Sequence, residues 1–176
     1  MRGVTHAVIG ANTAWIPLIA GAEVAPWIPV LGCIAALLPD LDASESMIKH
    51  MSFGGYIGKT RVRFKPFVPI AMIASGVFGH RGALHSLVAV VLVALGASFL
   101  IPYITIPGFW VVVMGYASHL AADALTKSGI EAFWPFKLRV GLLPRFLRVK
   151  TGGIVDTILL LVGVGGIVLF LNTFML

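Results

Sequence analysis

The sequence predicts an all-α integral membrane protein, a single domain over residues 1–176 with about five transmembrane helices and one short re-entrant or interfacial helix. Three observations carry that expectation. Hydrophobic residues make up 59% of the chain and charged residues 11%, with a mean hydropathy of +0.99, far above the range of water-soluble domains. Several apolar segments approach the ~20 residues that a helix needs to span a hydrocarbon core of about 30 Å. Gly and Pro are frequent, as in membrane helices, and no strand-like alternation runs long enough to suggest a barrel.

Five long apolar segments supply the expected crossings: residues 4–22, 24–39, 84–100, 107–126 and 153–175. The first follows Arg2 and ends in Ala20, Gly21 and Ala22, small residues of the kind found at signal cleavage sites. His6 and Asn12 interrupt the run and argue for a retained helix. A sixth segment, 67–79, has 13 residues. At 1.5 Å per residue it reaches about 20 Å, too short to span, which makes it re-entrant or interfacial. Pro26, Pro29, Pro102 and Pro107 mark helix boundaries or kinks. Trp134-Pro135-Phe136 and the basic stretch from Lys137 to Lys150 read as an interfacial segment, with aromatics at headgroup depth and cations facing lipid phosphates.

The net charge of +6 does not point to nucleic acid, because the basic residues are confined to a few loops without an aromatic stacking pattern. Topology explains them better. Loop 43–66 carries Lys49, Lys59, Arg61, Arg63 and Lys65, and loop 127–152 carries Lys127, Lys137, Arg139, Arg145, Arg148 and Lys150, so both belong in the cytoplasm. Arg2 places the N-terminus there too, whereas the uncharged turn 101–106 and the base-free turn near Glu23 fit the outer side. With 67–79 not crossing, this orientation brings the candidate ligands to the cytoplasmic face. The single Cys33 excludes an intramolecular disulfide and reads as a packing residue.

His119 and Asp123, in Gly115-Tyr116-Ala117-Ser118-His119-Leu120-Ala121-Ala122-Asp123, stand i, i+4 on one helix face, about 6 Å apart. That spacing suits one metal ion, and such a pair inside an apolar helix is costly unless ligated or paired. Asp40 and Asp42 end an apolar helix at Leu37-Leu38-Pro39-Asp40-Leu41-Asp42. A helix C-terminus disfavours negative charge, so two carboxylates there would be relieved by a cation. In Gly79-His80-Arg81-Gly82-Ala83-Leu84-His85-Ser86 the histidines would diverge by about 140° in one regular helix, but converge if Gly82 lies in a loop. Arg81 offers a planar fork for phosphate, and Ser86 reads as packing or as support for a ligand. His6 alone is weak and His50 reads as solvated. Asp156, an acid in the apolar last helix, needs a partner: a metal, Arg81 or a loop lysine. No GxSxG, SxxK, CxxC, phosphate-binding loop or His-Glu-x-x-His is present, which argues against serine, thiol-redox, P-loop and zincin chemistry.

Together, the early His6, Leu-Leu-Pro-Asp-Leu-Asp, His-Arg-Gly-x-x-His-Ser, and Gly-Tyr-x-Ser-His-x-x-x-Asp-x-x-Thr followed by Trp-Pro resemble the YdjM-like family of bacterial and archaeal inner-membrane proteins. The resemblance covers most of the chain, from His6 to Asp156, and implies a membrane-bound metal-dependent hydrolase with ligands drawn from these positions. Leu84 stands where the family commonly has Thr, and Asp156 where Glu is expected in the last helix. The order of the ligands also resembles, more distantly, the zinc-dependent phospholipase C and P1-nuclease group. That group adds a later His-x-x-x-Glu, which here reads Gly152-Gly153-Ile154-Val155-Asp156, so two metals are expected rather than three.

The expected activity is hydrolysis of a phosphoester in a lipid or membrane-adjacent substrate at the cytoplasmic face of the inner membrane. His6, Asp40, Asp42, His80, His85, His119, Asp123 and Asp156 form the ligand set, with Asp40 or Asp123 acting as general base and Arg81 steadying the phosphate. Zn²⁺ suits the His/Asp mixture best, with Mn²⁺ as the alternative. Two rivals use the same residues: an ion- or proton-coupled transporter, which would place them near the midplane on broken helices, and a non-catalytic protein with a structural metal.

Overall fold

The structure is a computed structural model that describes residues 1–42, 53–57, 60–64 and 82–174, with the backbone alone described for Asp42 and for the pair of strands. Segment 67–79, His50, His80 and Arg81 lie outside the described residues.

The first apolar segment forms two helices, α1 (Gly3–Asn12) and α2 (Trp15–Ile19). Pro17 has no N–H to offer the Thr13 carbonyl, and the Thr13 hydroxyl turns back to the Gly10 carbonyl at 2.6 Å, so the helix breaks between them. Helix α3 (Ile28–Leu37) starts with Pro29 in its first turn and tightens into a 3₁₀ turn, Leu38–Asp42, where Pro39 cannot continue the helical ladder.

One short pair of strands accompanies the helices. Strands β1 (Phe53–Ile57) and β2 (Thr60–Phe64) pair as an antiparallel hairpin with Phe53 opposite Phe64, inside what reads as a basic loop. Thr60, Val62 and Phe64 alternate with Arg61 and Arg63, the period of a strand in a run too short to stand out.

A 3₁₀ turn (Ala83–His85) leads into α4 (Leu87–Ser98), whose N-cap Ser86 accepts the Ala89 N–H at 3.3 Å. Helix α5 (Ile101–Ala124) already begins in the expected turn, with Pro102 in its first turn, and is interrupted at Thr105 (φ 66°), two residues before Pro107. Helix α6 (Ile154–Asn172) ends the described fold.

Helix α3 lies between α1 and α5; α1 also meets α5 and α6, and α4 packs on α5. The three inner helices touch through backbone. A Cβ on Gly10 would collide with the Gly32 carbonyl and Ala36, one on Gly32 with the Gly10 carbonyl, and one on Gly115 would stand 2.7 Å from the Gly32 carbonyl oxygen. Close approach through small residues is how helices associate where apolar burial offers no driving force. Helix α6 is held by Asn12, whose amide donates to the carbonyls of Val8 and Gly163 at 2.8 Å each, and by the Trp15 indole, which donates to the Gly166 carbonyl at 3.1 Å.

Among the described helices, α5 and α6 are long and apolar enough to cross a membrane. Only 11% of the apolar window of α6 is buried, leaving Ile154, Leu161, Val162 and Leu169 on the outside. Water would penalise such a helix, whereas lipid accommodates it. Helices α1, α3 and α4 have 10, 10 and 12 residues, so each alone reaches about 15–18 Å and falls short of a crossing.

Candidate metal centre

Five of the residues singled out in the sequence converge at one end of the helix bundle. His6 comes from the first turns of α1, Asp40 from the 3₁₀ turn after α3, His85 from the turn before α4, and His119 and Asp123 from the end of α5. The glycine contacts account for the convergence. Gly10 is one helical turn from His6, Gly32 one turn from Ala36, and Gly115 one turn from His119.

The histidine orientations are held by their surroundings. His119 Nδ1 lies 2.7 Å from the Ala36 carbonyl, which can only accept, so Nδ1 carries the proton and Nε2 presents its lone pair. The Tyr116 hydroxyl donates to the Leu84 carbonyl at 2.6 Å and fixes the turn bearing His85. That contact uses backbone, so it does not depend on the side chain at Leu84. Ser86 serves as helix cap and donates to the Ala83 carbonyl at 2.5 Å. His6 stacks on His119 with ring centroids 3.8 Å apart.

The spacing of the polar atoms suits a shared cation better than direct pairing. His85 Nε2 and His119 Nε2 are 3.3 Å apart; Asp40 Oδ1 is 3.6 Å from the first and 3.7 Å from the second; Asp123 Oδ2 is 3.8 and 3.7 Å from them. Charge-assisted hydrogen bonds would close to about 2.7–2.9 Å. Two ligand atoms about 3.6 Å apart can both lie about 2.2 Å from one ion at the tetrahedral angle, close to zinc's bond lengths to imidazole nitrogen and carboxylate oxygen. The donor set therefore fits a metal ion. Two overlapping groups of potential ligand atoms arise: His85, His119 and Asp123, and His6, Asp40 and His119.

Asp123 joins them. Its Oδ2 faces His85 and His119, while Oδ1 lies 3.1 Å from His6 Nε2 and accepts from the Met1 amino group at 2.7 Å. His6, His85, His119 and Asp123 are buried, and Asp40 retains 20% side-chain exposure, so the cluster opens on the Asp40 side. The Nδ1 atoms of His6 and His85 have no hydrogen-bond partner among the described residues.

Asp156 is not brought to this cluster. Its Oδ2 accepts from Gly152 N at 2.7 Å, Arg2 Nε at 3.2 Å and Arg2 N at 3.3 Å, and the Arg2 guanidinium also reaches the Thr157 hydroxyl at 2.9 Å. The buried acid expected to have a partner thus has Arg2, and it ties the start of α1 to α6. The side chain of Asp42, and His80 and Arg81, fall outside the described residues. Thr126 was not singled out as a site residue, yet it is buried and donates to the Asp123 carbonyl at 2.7 Å; its place three residues after Asp123 in the motif was the available signal.

Comparison with known proteins agrees with the motif. The chain is 34% identical over 146 residues to the inner membrane protein YdjM of Escherichia coli, and equally to that of Shigella flexneri, in alignments covering 77% of this chain. It spans 63% of the length of those relatives. It is 30% identical over 164 residues to the uncharacterized protein YvsG of Bacillus subtilis, covering 91% of this chain and 88% of that protein. No solved structure matches. Residues 1–175 match the YdjM inner membrane protein family, and the chain belongs to it.

Proposed function

We propose that this chain is a metal-dependent hydrolase of the inner membrane that cleaves a phosphoester in a lipid or membrane-adjacent substrate. The observation behind this reading is the ring of His85, His119, Asp40 and Asp123 atoms standing 3.3 to 3.8 Å apart, with His6 against Asp123. In this reading those five residues hold the metal, Zn²⁺ by the chemistry of the donors; the two overlapping groups share the one free nitrogen of His119, so the second ion expected from the ligand order would be held without it. A bound ion would supply Lewis acidity toward a phosphoryl oxygen and would acidify water. One carboxylate would act as general base instead of as a ligand, and Asp40, the more exposed of the two, is the better placed to take a proton from an attacking water. His119 is held in one tautomer by Ala36, and Asp123 spans both halves of the cluster. Asp42, His80 and Arg81 keep the ligand and phosphate-steadying roles that their motifs suggest.

The proposed topology has five crossings and a cytoplasmic site. It draws on the basic loops, on the family's inner-membrane name and on the clustering of ligands at helix ends. A transporter would place such groups near the midplane.

The test is metal analysis of purified wild type and His119→Ala beside a panel of phosphatase and phospholipase substrates. Wild type should carry stoichiometric metal, His119→Ala should lose it, and ester cleavage should follow the metal. Wild type without stoichiometric metal sinks the reading. Bound metal with no ester cleaved leaves a structural metal site in its place.

A further inference from the structure

The His85 ring is satisfied on one side only. Its Nε2 faces His119, Asp40 and Asp123, while its Nδ1 is buried with no hydrogen-bond partner among the described residues. The equivalent nitrogen of His119 has the Ala36 carbonyl. An unpaired buried polar atom costs about 1–3 kcal/mol, so a partner is to be expected.

His85 also forms one wall of a cavity of about 20 Å³, lined by Ser128, Gly129, Ile130, Glu131 and Arg139. A single water needs roughly 10–15 Å³, so the cavity has room for one water. Its walls are built by backbone pairing. Ile130 N–H donates to the Val140 carbonyl at 3.0 Å and Val140 N–H to the Ile130 carbonyl at 2.8 Å. Gly129 sits at φ 63°, where an added Cβ would stand 2.7 Å from the Val140 oxygen. Leu87 N–H donates to the Ala132 carbonyl at 2.9 Å, which ties this loop to the turn bearing His85. Glu131 and Arg139 flank the Ile130–Val140 pair and approach to 3.7 Å.

We propose that Glu131 is a positioning residue for His85: through one water in this cavity its carboxylate accepts the His85 Nδ1–H, so that the Nε2 lone pair faces His119, Asp40 and Asp123. The Ser128 hydroxyl, 2.8 Å from the Thr126 hydroxyl, is a further partner for that water. Metal-binding histidines nearly always donate their other N–H to a carboxylate, carbonyl or water. The assignment deepens the metal-dependent reading and takes its purpose from it.

The test uses the full chain in detergent with Zn²⁺ alone as probe, in competition with a chelator. Glu131→Ala should bind zinc about 10–100-fold more weakly, and Glu131→Gln, whose amide oxygen still accepts, should recover much of the loss. Imidazole ¹⁵N spectra of the zinc-loaded protein give a second readout. Wild-type His85 should coordinate through Nε2 and carry its proton on Nδ1, and Glu131→Ala should mix coordination through the two nitrogens. Unchanged zinc affinity with unchanged coordination in Glu131→Ala overturns the proposal, as does a wild-type His85 that coordinates through Nδ1. A wild type that takes no zinc refutes the metal-dependent function; the His85 signals of that protein then decide the role of Glu131, a shift in Glu131→Ala supporting it and no shift overturning it. Should Glu131→Ala fail to fold, the zinc-loaded spectra of Glu131→Gln decide: coordination through Nε2 alone supports the proposal and coordination through Nδ1 overturns it.

Discussion

Gly115→Ala places one methyl group where three inner helices meet, and its effect can be worked from the contacts. The new Cβ would stand 2.7 Å from the Gly32 carbonyl oxygen, 3.0 Å from the Gly32 Cα and 3.3 Å from the Ala35 Cβ. Two of these are backbone atoms of α3, so no side chain can swing aside. Restoring ordinary contact at 3.4 Å means moving α5 away from α3 by about 0.7 Å. The His119 Nδ1–H bond to the Ala36 carbonyl, one turn along the same two helices, would stretch from 2.7 Å to about 3.4 Å, beyond useful hydrogen-bond length. Overpacking of this kind costs about 1–3 kcal/mol, and the lost hydrogen bond about 1 kcal/mol more. Freed from Ala36, His119 can rotate or change tautomer, and zinc affinity should fall about 10–100-fold. Thermal unfolding in detergent and zinc titration measure the two effects. Gly96→Ala on α4 is the control, because nothing lies within 4 Å of the added Cβ there. If Gly115→Ala matches Gly96→Ala in both stability and zinc affinity, the helix seam does not position the site.

Two further predictions separate the cluster from its surroundings. Asp156→Ala removes the acceptor of Gly152 N–H and Arg2, and should destabilise the protein by about 1–3 kcal/mol, the partial exposure of Arg2 allowing water to compensate in part. Its metal content should stay at the wild-type level; loss of metal without loss of fold would return Asp156 to the ligand set. Cys33 is the only cysteine, so a Cys33→Ser background permits single-cysteine labelling. A cysteine at Lys127 should react with an impermeant thiol reagent only from the cytoplasmic side, and one at Gly21 only from the outer side. The reverse pattern would invert the proposed orientation.

What the sequence disclosed and what it hid follow from the range of each interaction. The i, i+4 pair of His119 and Asp123 is local and was readable as one face of one helix. Asp40 and His85 were readable as helix-end residues for the same reason, and topology placed them at one end. Asp156 announced that it needed a partner, but Arg2 lies 154 residues away and looked like a topology marker, so only the folded chain reveals the pair. The glycine seam was equally hidden. Gly10, Gly32 and Gly115 look like ordinary membrane-helix glycines until three helices are superposed. Helix lengths were overstated because apolar runs continue through breaks: Thr13 and Pro17 divide the first segment, and Pro39 ends the regular part of the second. Hydropathy does not register such breaks, since the residues that cause them are themselves compatible with lipid.

Where the cluster sits along the helices bears on what it can do. His119 and Asp123 occupy the last two turns of α5, Asp40 lies beyond the regular end of α3, His85 precedes α4, and His6 is in the first turns of α1. None is at the middle of a helix, where a relay serving both sides of a membrane would have to be. Immediately past Asp123 the chain turns at Thr126, which bridges to Val149, and enters the segment bearing Lys137, Arg139, Arg145, Arg148 and Lys150. Exposed Phe136, Leu138, Leu142 and Phe146 run through those cations. A stretch of basic and apolar side chains in that order suits a depth where acyl chains give way to phosphates. In the proposed topology, buried histidines and carboxylates beside such a surface would have water from one direction and lipid phosphoesters from the other. Those are the two reactants that the proposed phosphoester hydrolase would bring together, and neither a midplane relay nor a purely structural metal requires that location.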